Sequence, residues 1–199
     1  MMKCAKYCIH RIPNKSTSNT YIVSIDNNSI IIDPGSLYSE ELLNYLNTNN
    51  LLISYIILTH EHYDHCIGVN YLRKKYSNVK LVASYFCNQN IQDDRMNLSR
   101  YADENGNGFT IRPADIVIDR NSNLDILGLS FHFLLTPGHS QGSMCFWFDN
   151  VFFSGDMLIP GHPVVCKLKG SNKNDLQKSL VQITDILNSA NFIIFPGHL

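Results

Sequence analysis

No Cys-x-x-Cys pair occurs among the six cysteines, no apolar run approaches the length of a membrane helix, and no long stretch is dense in lysine and arginine. Each absence excludes something. Cys4, Cys8, Cys66, Cys87, Cys145 and Cys166 are scattered, several inside apolar runs where a free thiol behaves as a small hydrophobe. That usage fits a reduced, cytoplasmic protein without structural disulfides. A membrane helix needs about 20 apolar residues, and the N-terminal MMKCAKYCIHRIP is too poor in them to be a signal peptide. The run Arg73, Lys74, Lys75 is short and reads as a solvated helix face. With a formal net charge of −1, neither nucleic acid nor an anionic membrane is the expected partner. A small-molecule substrate is. No coiled-coil pattern speaks to oligomeric state.

What is present is the material of a globular core: 44% of the 199 residues are hydrophobic and 17% charged. No linker or low-complexity tract divides the chain, so a single domain over residues 1–199 is expected. NTYIVSID and SIIIDPG, joined by a turn at Asn27-Asn28, read as a β-hairpin. SEELLNYLNTNN is acidic at its start and gathers Leu42, Leu43 and Leu46 on one side, as a helix would. LLISYIILT reads as a strand buried on both faces. IGVNYLRKKY then looks helical and VKLVAS extended. Residues 86–113 are irregular and are the expected active-site flap. The second half is again β-rich, through ADIVID, NLDIL, LSFHFLLTPG, SMCFWFDN and VFFSGD. NDLQKSLVQITDILNSA places Leu176, Leu180, Ile183 and Leu187 on one helical stripe, with Asn174 and Gln177 at capping-box spacing. FIIFPGH closes the chain. Two β-rich halves with helices outside predict a four-layer αβ/βα sandwich of two packed sheets, in the α/β class.

The chemistry is concentrated where strands stop. IILTHEHYDH, LLTPGHS, VFFSGD and FIIFPGH are each an apolar strand followed at once by His or Asp. The ligand candidates are His60, His62, Asp64, His65, His139, Asp156 and His198. Shared strand ends would bring five imidazoles and two carboxylates to one edge. That donor set suits Zn²⁺, Fe²⁺ or Mn²⁺, zinc first among them. Seven ligands are too many for one tetrahedral ion and suit two, with a carboxylate and a water-derived oxygen between them.

The ordered set T-H-x-H-x-D-H-x-x-G, T-P-G-H-S, S-G-D and P-G-H resembles the metallo-β-lactamase-fold hydrolases, from about Tyr21 onward. IIDPG and the NLS at residues 97–99 belong to the same resemblance. It implies that His60, His62 and His139 hold one metal, that Asp64, His65 and His198 hold a second, and that Asp156 bridges them. Asp33 would lie beneath the histidine loop and fix it. A metal-bridging hydroxide would attack the substrate, with Asp64 orienting it or relaying its proton.

Within that superfamily the chain looks most like small glyoxalase II-type (hydroxyacylglutathione hydrolase-like) enzymes. It differs from the full-length ones, whose C-terminal helical domain grips glutathione, in stopping one residue after His198. Substrate contacts are then expected from residues 86–113 and 157–164, with Tyr63 and His162 in the pocket wall. A thiolate, from a thiol of pKa about 8.5, departs without an acid, which favours a small ester or thioester over an amide. The rival is a mononuclear non-haem iron persulfide dioxygenase of the same fold, using His60, His139 and Asp156. A lactonase is a further alternative. Cys66 is read as a buried inert thiol, His132 as structural, His10 as surface and Trp147 as core.

Overall fold

The computed structural model describes residues 7–102 and 104–199, so Cys4 lies outside the described residues. Strands β1 (Tyr7–Pro13), β2 (Asn19–Ile25), β3 (Asn28–Ile32), β4 (Leu52–Ile57), β5 (Lys80–Ser84) and β6 (Ile116–Ile118) form one sheet in sequential order. Its first two pairings are antiparallel and the next three parallel. The second sheet runs β11 (Ile193–Pro196), β10 (Val151–Gly155), β9 (Met144–Phe148), β8 (Leu129–Leu135), β7 (Ser122–Ile126). Only its β10–β11 pairing is parallel.

Period-2 alternation sends neighbouring side chains to opposite faces and so builds two cores from each strand. From β2 and β3, Val23, Ile25, Ile30 and Ile32 face the second sheet, where they meet Phe131, Phe133, Phe146, Phe148 and Phe153. Ile22 and Ile31 face the other way, towards helices α1 (Glu40–Thr48) and α3 (Val69–Lys75). On the outer face of the second sheet Leu134, Cys145 and Phe152 pack under α6 (Lys173–Ser189) through Leu176, Leu180, Ile183 and Leu187. The result is the four-layer αβ/βα sandwich that the sequence leads one to expect. Among the described residues no helix is long and apolar enough to cross a membrane, and the five described cysteines are free thiols.

Some local expectations need correction. The hairpin turn is Asp26-Asn27 rather than Asn27-Asn28, because Ile25 pairs with Asn28 and Asp26 takes up φ +50°. The cap of α6 is Asn172, two residues before Asn174. Its extended backbone frees the side chain to accept from the N–H groups of Asn174 and Asp175. Leu52, at the head of β4, is exposed, so that strand is not buried along its whole length. Residues 86–113 are not a free flap. They contain α4 (Tyr85–Asn90) and α5 (Ser99–Ala102), bury Ile91 and Ile111 in the first core, and pin Asn97 by a hydrogen bond to the Phe109 carbonyl at 2.8 Å. His10 stacks on Tyr45 at a centroid distance of 4.1 Å and is half-buried. Trp147 is also half-buried, between His132 and Phe152 beneath α6.

The sheet directions position the site. Strands β3 and β4 run parallel in one sheet, and β8, β10 and β11 run parallel in the other, so their C-terminal ends share one edge. Phe146 sits at the centre of the core between the sheets, fully buried among Phe131, Phe133 and Phe153. Phe146→Ala is expected to cost about 3–5 kcal/mol, against under about 0.5 kcal/mol for Val181→Ala on the exposed face of α6. Urea denaturation of the two variants checks this. Equal midpoints would contradict the packing described.

Candidate metal centre

At the shared edge β4 runs into Thr59 and then into the histidine loop, which winds into the short helix α2 (Tyr63–Cys66). Asp33, just past β3, lies beneath that loop and is almost fully buried. Its carboxylate accepts the Thr59 N–H (2.8 Å), the Thr59 hydroxyl (2.6 Å) and His65 Nδ1–H (2.9 Å). With its hydrogen committed to Asp33, the Thr59 hydroxyl is an acceptor towards His60 Nδ1 at 3.0 Å. His60 therefore carries its proton on Nδ1 and a lone pair on Nε2. His139 is fixed in the same way: Nδ1 donates to the Val165 carbonyl at 2.8 Å, which leaves the Nε2 lone pair facing inward.

Those two lone pairs converge on His62 Nδ1, at 3.1 Å from His60 and 3.0 Å from His139. One proton cannot satisfy three converging nitrogens. A tetrahedral Zn²⁺ with bonds of about 2.0–2.1 Å would hold its nitrogens roughly 3.3 Å apart, close to this spacing. Beside this trio, His65 Nε2 lies 3.2 Å from His198 Nε2, with Asp64 Oδ2 3.4 Å from His198 and 3.8 Å from His65. Asp156 stands between the two groups. Its Oδ2 is 3.5 Å from both His139 and His198, and its Oδ1, 3.5 Å from His65, is buried without a hydrogen-bond partner. All seven residues named from the sequence thus meet at one edge. The donors fit two divalent ions: an inward trio of imidazoles, a mixed carboxylate–imidazole trio, and an underused carboxylate between them.

Asp33 also comes within ligand distance of His60 and His65. Its oxygens already accept from three donors, so it acts as the brace beneath the site. His198 is braced by Thr17, whose hydroxyl lies 3.1 Å from Nδ1, and by Ser18, which pairs with it across an antiparallel bridge. A Cβ on Gly197 would overlap the Asp156 carboxylate and crowd the His65 ring, so this close approach requires glycine. Cys66 is the inert thiol expected: buried, donating to the Glu61 carbonyl, and pushed well up by that burial and by Asp64. His162 does not join the cluster; it is exposed in the loop after β10. Tyr63 lines a groove of about 470 Å³ beside the site, together with residues 167–169 rather than 157–164. A larger cavity, about 580 Å³, lies at the opposite, N-terminal ends of β3, β4 and β5 and contains none of the seven residues.

Glu61 escapes the sequence reading altogether. It is buried, accepts from Asn90 (2.8 Å), Ser140 (2.9 Å) and the Gly142 N–H (3.3 Å), and so ties the loop of His60 and His62 to the loop of His139. A buried acid inside H-x-H is the available signal, since such a group must find donors.

A model of the metallo-beta-lactamase superfamily matches residues 14–198. The chain belongs to the metallo-beta-lactamase superfamily. Hydroxyacylglutathione hydrolase 1 of Vibrio vulnificus (strain YJ016) is 30% identical over 171 residues, covering 85% of this chain and 58% of that protein. The chain therefore spans a little over half the length of that relative. Among solved structures, BLEG-1 B3 metallo-beta-lactamase superposes with a TM-score of 0.85 at 28% identity, covering 96% of this chain and 92% of that one. TTHA1623, crystallised in a di-iron-bound form, gives 0.78 at 25% identity with the same coverage. A His/Asp cluster on this superfamily's fold implies divalent metal.

Burial, reinforced by neighbouring imidazoles, holds His60 well below the ordinary histidine range and His62 down to about 3. Burial also opposes charge on His65, but Asp156, Asp64 and Asp33 outweigh it and pull its pKa up to about 10. In chelator-treated protein, His60 and His62 are neutral when folded, so stability falls as pH drops below 6.5. The His65 contribution is complete below 6.5 and is lost as pH rises through about 10. The metal-free superfamily member is expected to show its highest urea midpoint near pH 6.5, with a fall on either side. A midpoint that keeps rising from pH 6.5 to 9 would contradict these environments.

Proposed function

We propose that this protein is a binuclear metal-dependent hydrolase of small esters or thioesters, most like a glyoxalase II-type thioesterase, with zinc as the preferred metal. The observation that carries the reading is Asp156, a poorly satisfied carboxylate set between an imidazole trio and a carboxylate–imidazole trio. On this reading His60, His62 and His139 would hold one ion and Asp64, His65 and His198 the other, with Asp156 available to both. Bound divalent ions would supply a nucleophile at neutral pH and Lewis acidity towards a carbonyl oxygen.

The chain's own contribution is orientation and proton handling. Burial acts to raise the Asp64 carboxyl, but His65 and His198 outweigh it and hold Asp64 below the usual carboxylate range. Asp64 is thus an anion partly open to solvent, suited to accept a hydrogen bond from an attacking water and so orient it. The neighbouring phenol of Tyr63 is raised by burial and by Asp64, which makes it a poor acid at neutral pH. A leaving group that departs as a thiolate needs no acid, which suits this site better than an amide nitrogen. The kinship with hydroxyacylglutathione hydrolase supports the same direction.

The test is release of thiol from a panel of small acyl thioesters, with lactones alongside, by zinc-loaded protein. Turnover is expected, and Asp64→Asn should lower kcat by about 10²–10⁴-fold while the fold is kept. Absence of hydrolysis, together with oxygen uptake on a persulfide by iron-loaded protein, would overturn the reading. It would favour the His60, His139 and Asp156 iron site instead.

A further inference from the structure

Glu61 carries a charge that its hydrogen bonds alone do not require. It is 1% exposed, and its carboxylate accepts from the Asn90 amide, the Ser140 hydroxyl and the Gly142 N–H. Among the described residues, no Lys, Arg or His forms an ion pair with it. Hydrogen bonds lower the cost of burying a carboxylate, but a charge kept from water is normally paired or bound to a metal. A neutral amide of the same shape would tie the same two loops at less cost. Tying the loops therefore explains the side chain's shape and leaves its charge to be explained.

The protein's own neighbouring groups do not offset that charge. His60 and His62 flank it in sequence and are kept neutral by burial. The buried Cys87 thiol is pushed well up, by burial first and by Glu61 second. A divalent ion on His60, His62 and His139 would bring two positive charges to three neutral donors. Asp156 would meet only part of them, since it lies 3.5 Å from His139, His65 and His198 alike. The loop of His139 closes tightly onto the acid. A Cβ on Gly142 would overlap the Glu61 carboxylate and the Cys87 backbone. With its hydrogen given to Glu61, the Ser140 hydroxyl accepts from Ser143 at 2.9 Å, and Ser143 Oγ accepts the Ser140 N–H at 3.1 Å.

We propose that Glu61 is the buried counter-charge of the His60, His62 and His139 trio, a positioning residue that touches no ion yet raises the trio's affinity for a divalent cation. Coulomb attraction acts over such a distance because the interior screens it weakly. The inference rests on the trio holding an ion and not on which bond the enzyme cleaves.

Two variants separate charge from hydrogen bonding. Glu61→Gln removes the charge and can keep all three bonds: its oxygen accepts from Asn90 and Gly142, and its amide donates to Ser140, whose hydrogen turns to Ser143. Ser140→Ala removes a bond and keeps the charge. Both are made in a His198→Ala parent, which takes a donor from the second group, and Co²⁺ is titrated through its visible absorption. Glu61→Gln should weaken Co²⁺ binding roughly 10–100-fold, the range for groups just outside a metal's ligands, while Ser140→Ala stays near the parent. Without metal the order should reverse, with the urea midpoint of Glu61→Gln at or above the parent's and that of Ser140→Ala below it. A purely structural tie would move affinity and stability together. Unchanged Co²⁺ affinity in Glu61→Gln, a metal-free Glu61→Gln protein that is less stable or unfolded, or equal weakening by Ser140→Ala would overturn the inference. Wild type that takes up no Co²⁺ would remove the trio's metal site itself, and the inference with it.

Discussion

Asp33 accepts three hydrogen bonds in a site that water barely reaches, and the histidine loop hangs from them. A buried carboxylate is costly to hold unless each oxygen is satisfied, and here the Thr59 amide, the Thr59 hydroxyl and His65 satisfy both. The consequences travel outward. Committing the Thr59 hydrogen turns that oxygen into an acceptor, which sets the His60 tautomer, while the bond to His65 sets a second ring. One carboxylate therefore orients a nitrogen in each of the two ligand groups. Asp33 sits at φ +48° directly after β3, a left-handed turn that aspartate tolerates better than most residues and that aims the carboxylate under the neighbouring strand's exit.

Burial then grades the site from floor to mouth. His60, His62, His65 and His139 are enclosed, whereas Asp64, Asp156 and His198 keep partial contact with solvent. His60 and His62 are kept neutral by burial, the state in which an imidazole nitrogen binds metal. The carboxylates lie where a substrate would enter. Two divalent ions would leave an excess of positive charge over Asp64 and Asp156 at that mouth.

Much of this was legible in the sequence because the signal is local. A strand followed at once by His or Asp is visible in ten residues, and parallel strands place their ends together by geometry. The layering followed from apolar runs such as SIIIDPG and SMCFWFDN. What was not legible is non-local. The partners of Glu61 lie 29, 79 and 81 residues away, so only the folded chain shows that it ties two ligand loops together. Strand β1, which the sequence alone does not mark as extended, mixes His10 and Arg11 among its apolar residues. The α6 cap was misplaced by two residues because Asn172 and Asn174 are chemically equivalent candidates, and only backbone conformation chooses between them. Substrate contacts were expected from residues 86–113 and 157–164; Leu98, Tyr101 and Ala102 of the first line the groove beside Tyr63, whereas His162 of the second is exposed and that loop reaches the groove only at residues 167–169.

The central claim is that one edge of the sandwich holds two metal ions through ligands from both sheets. Elemental analysis of the protein purified without added metal, beside a folded His60→Ala/His62→Ala variant, tests it most directly. The account predicts about two divalent ions per chain in the native protein and loss of at least one in the variant. A single ion per chain under metal-replete conditions, or an unchanged metal content in the variant, would contradict it.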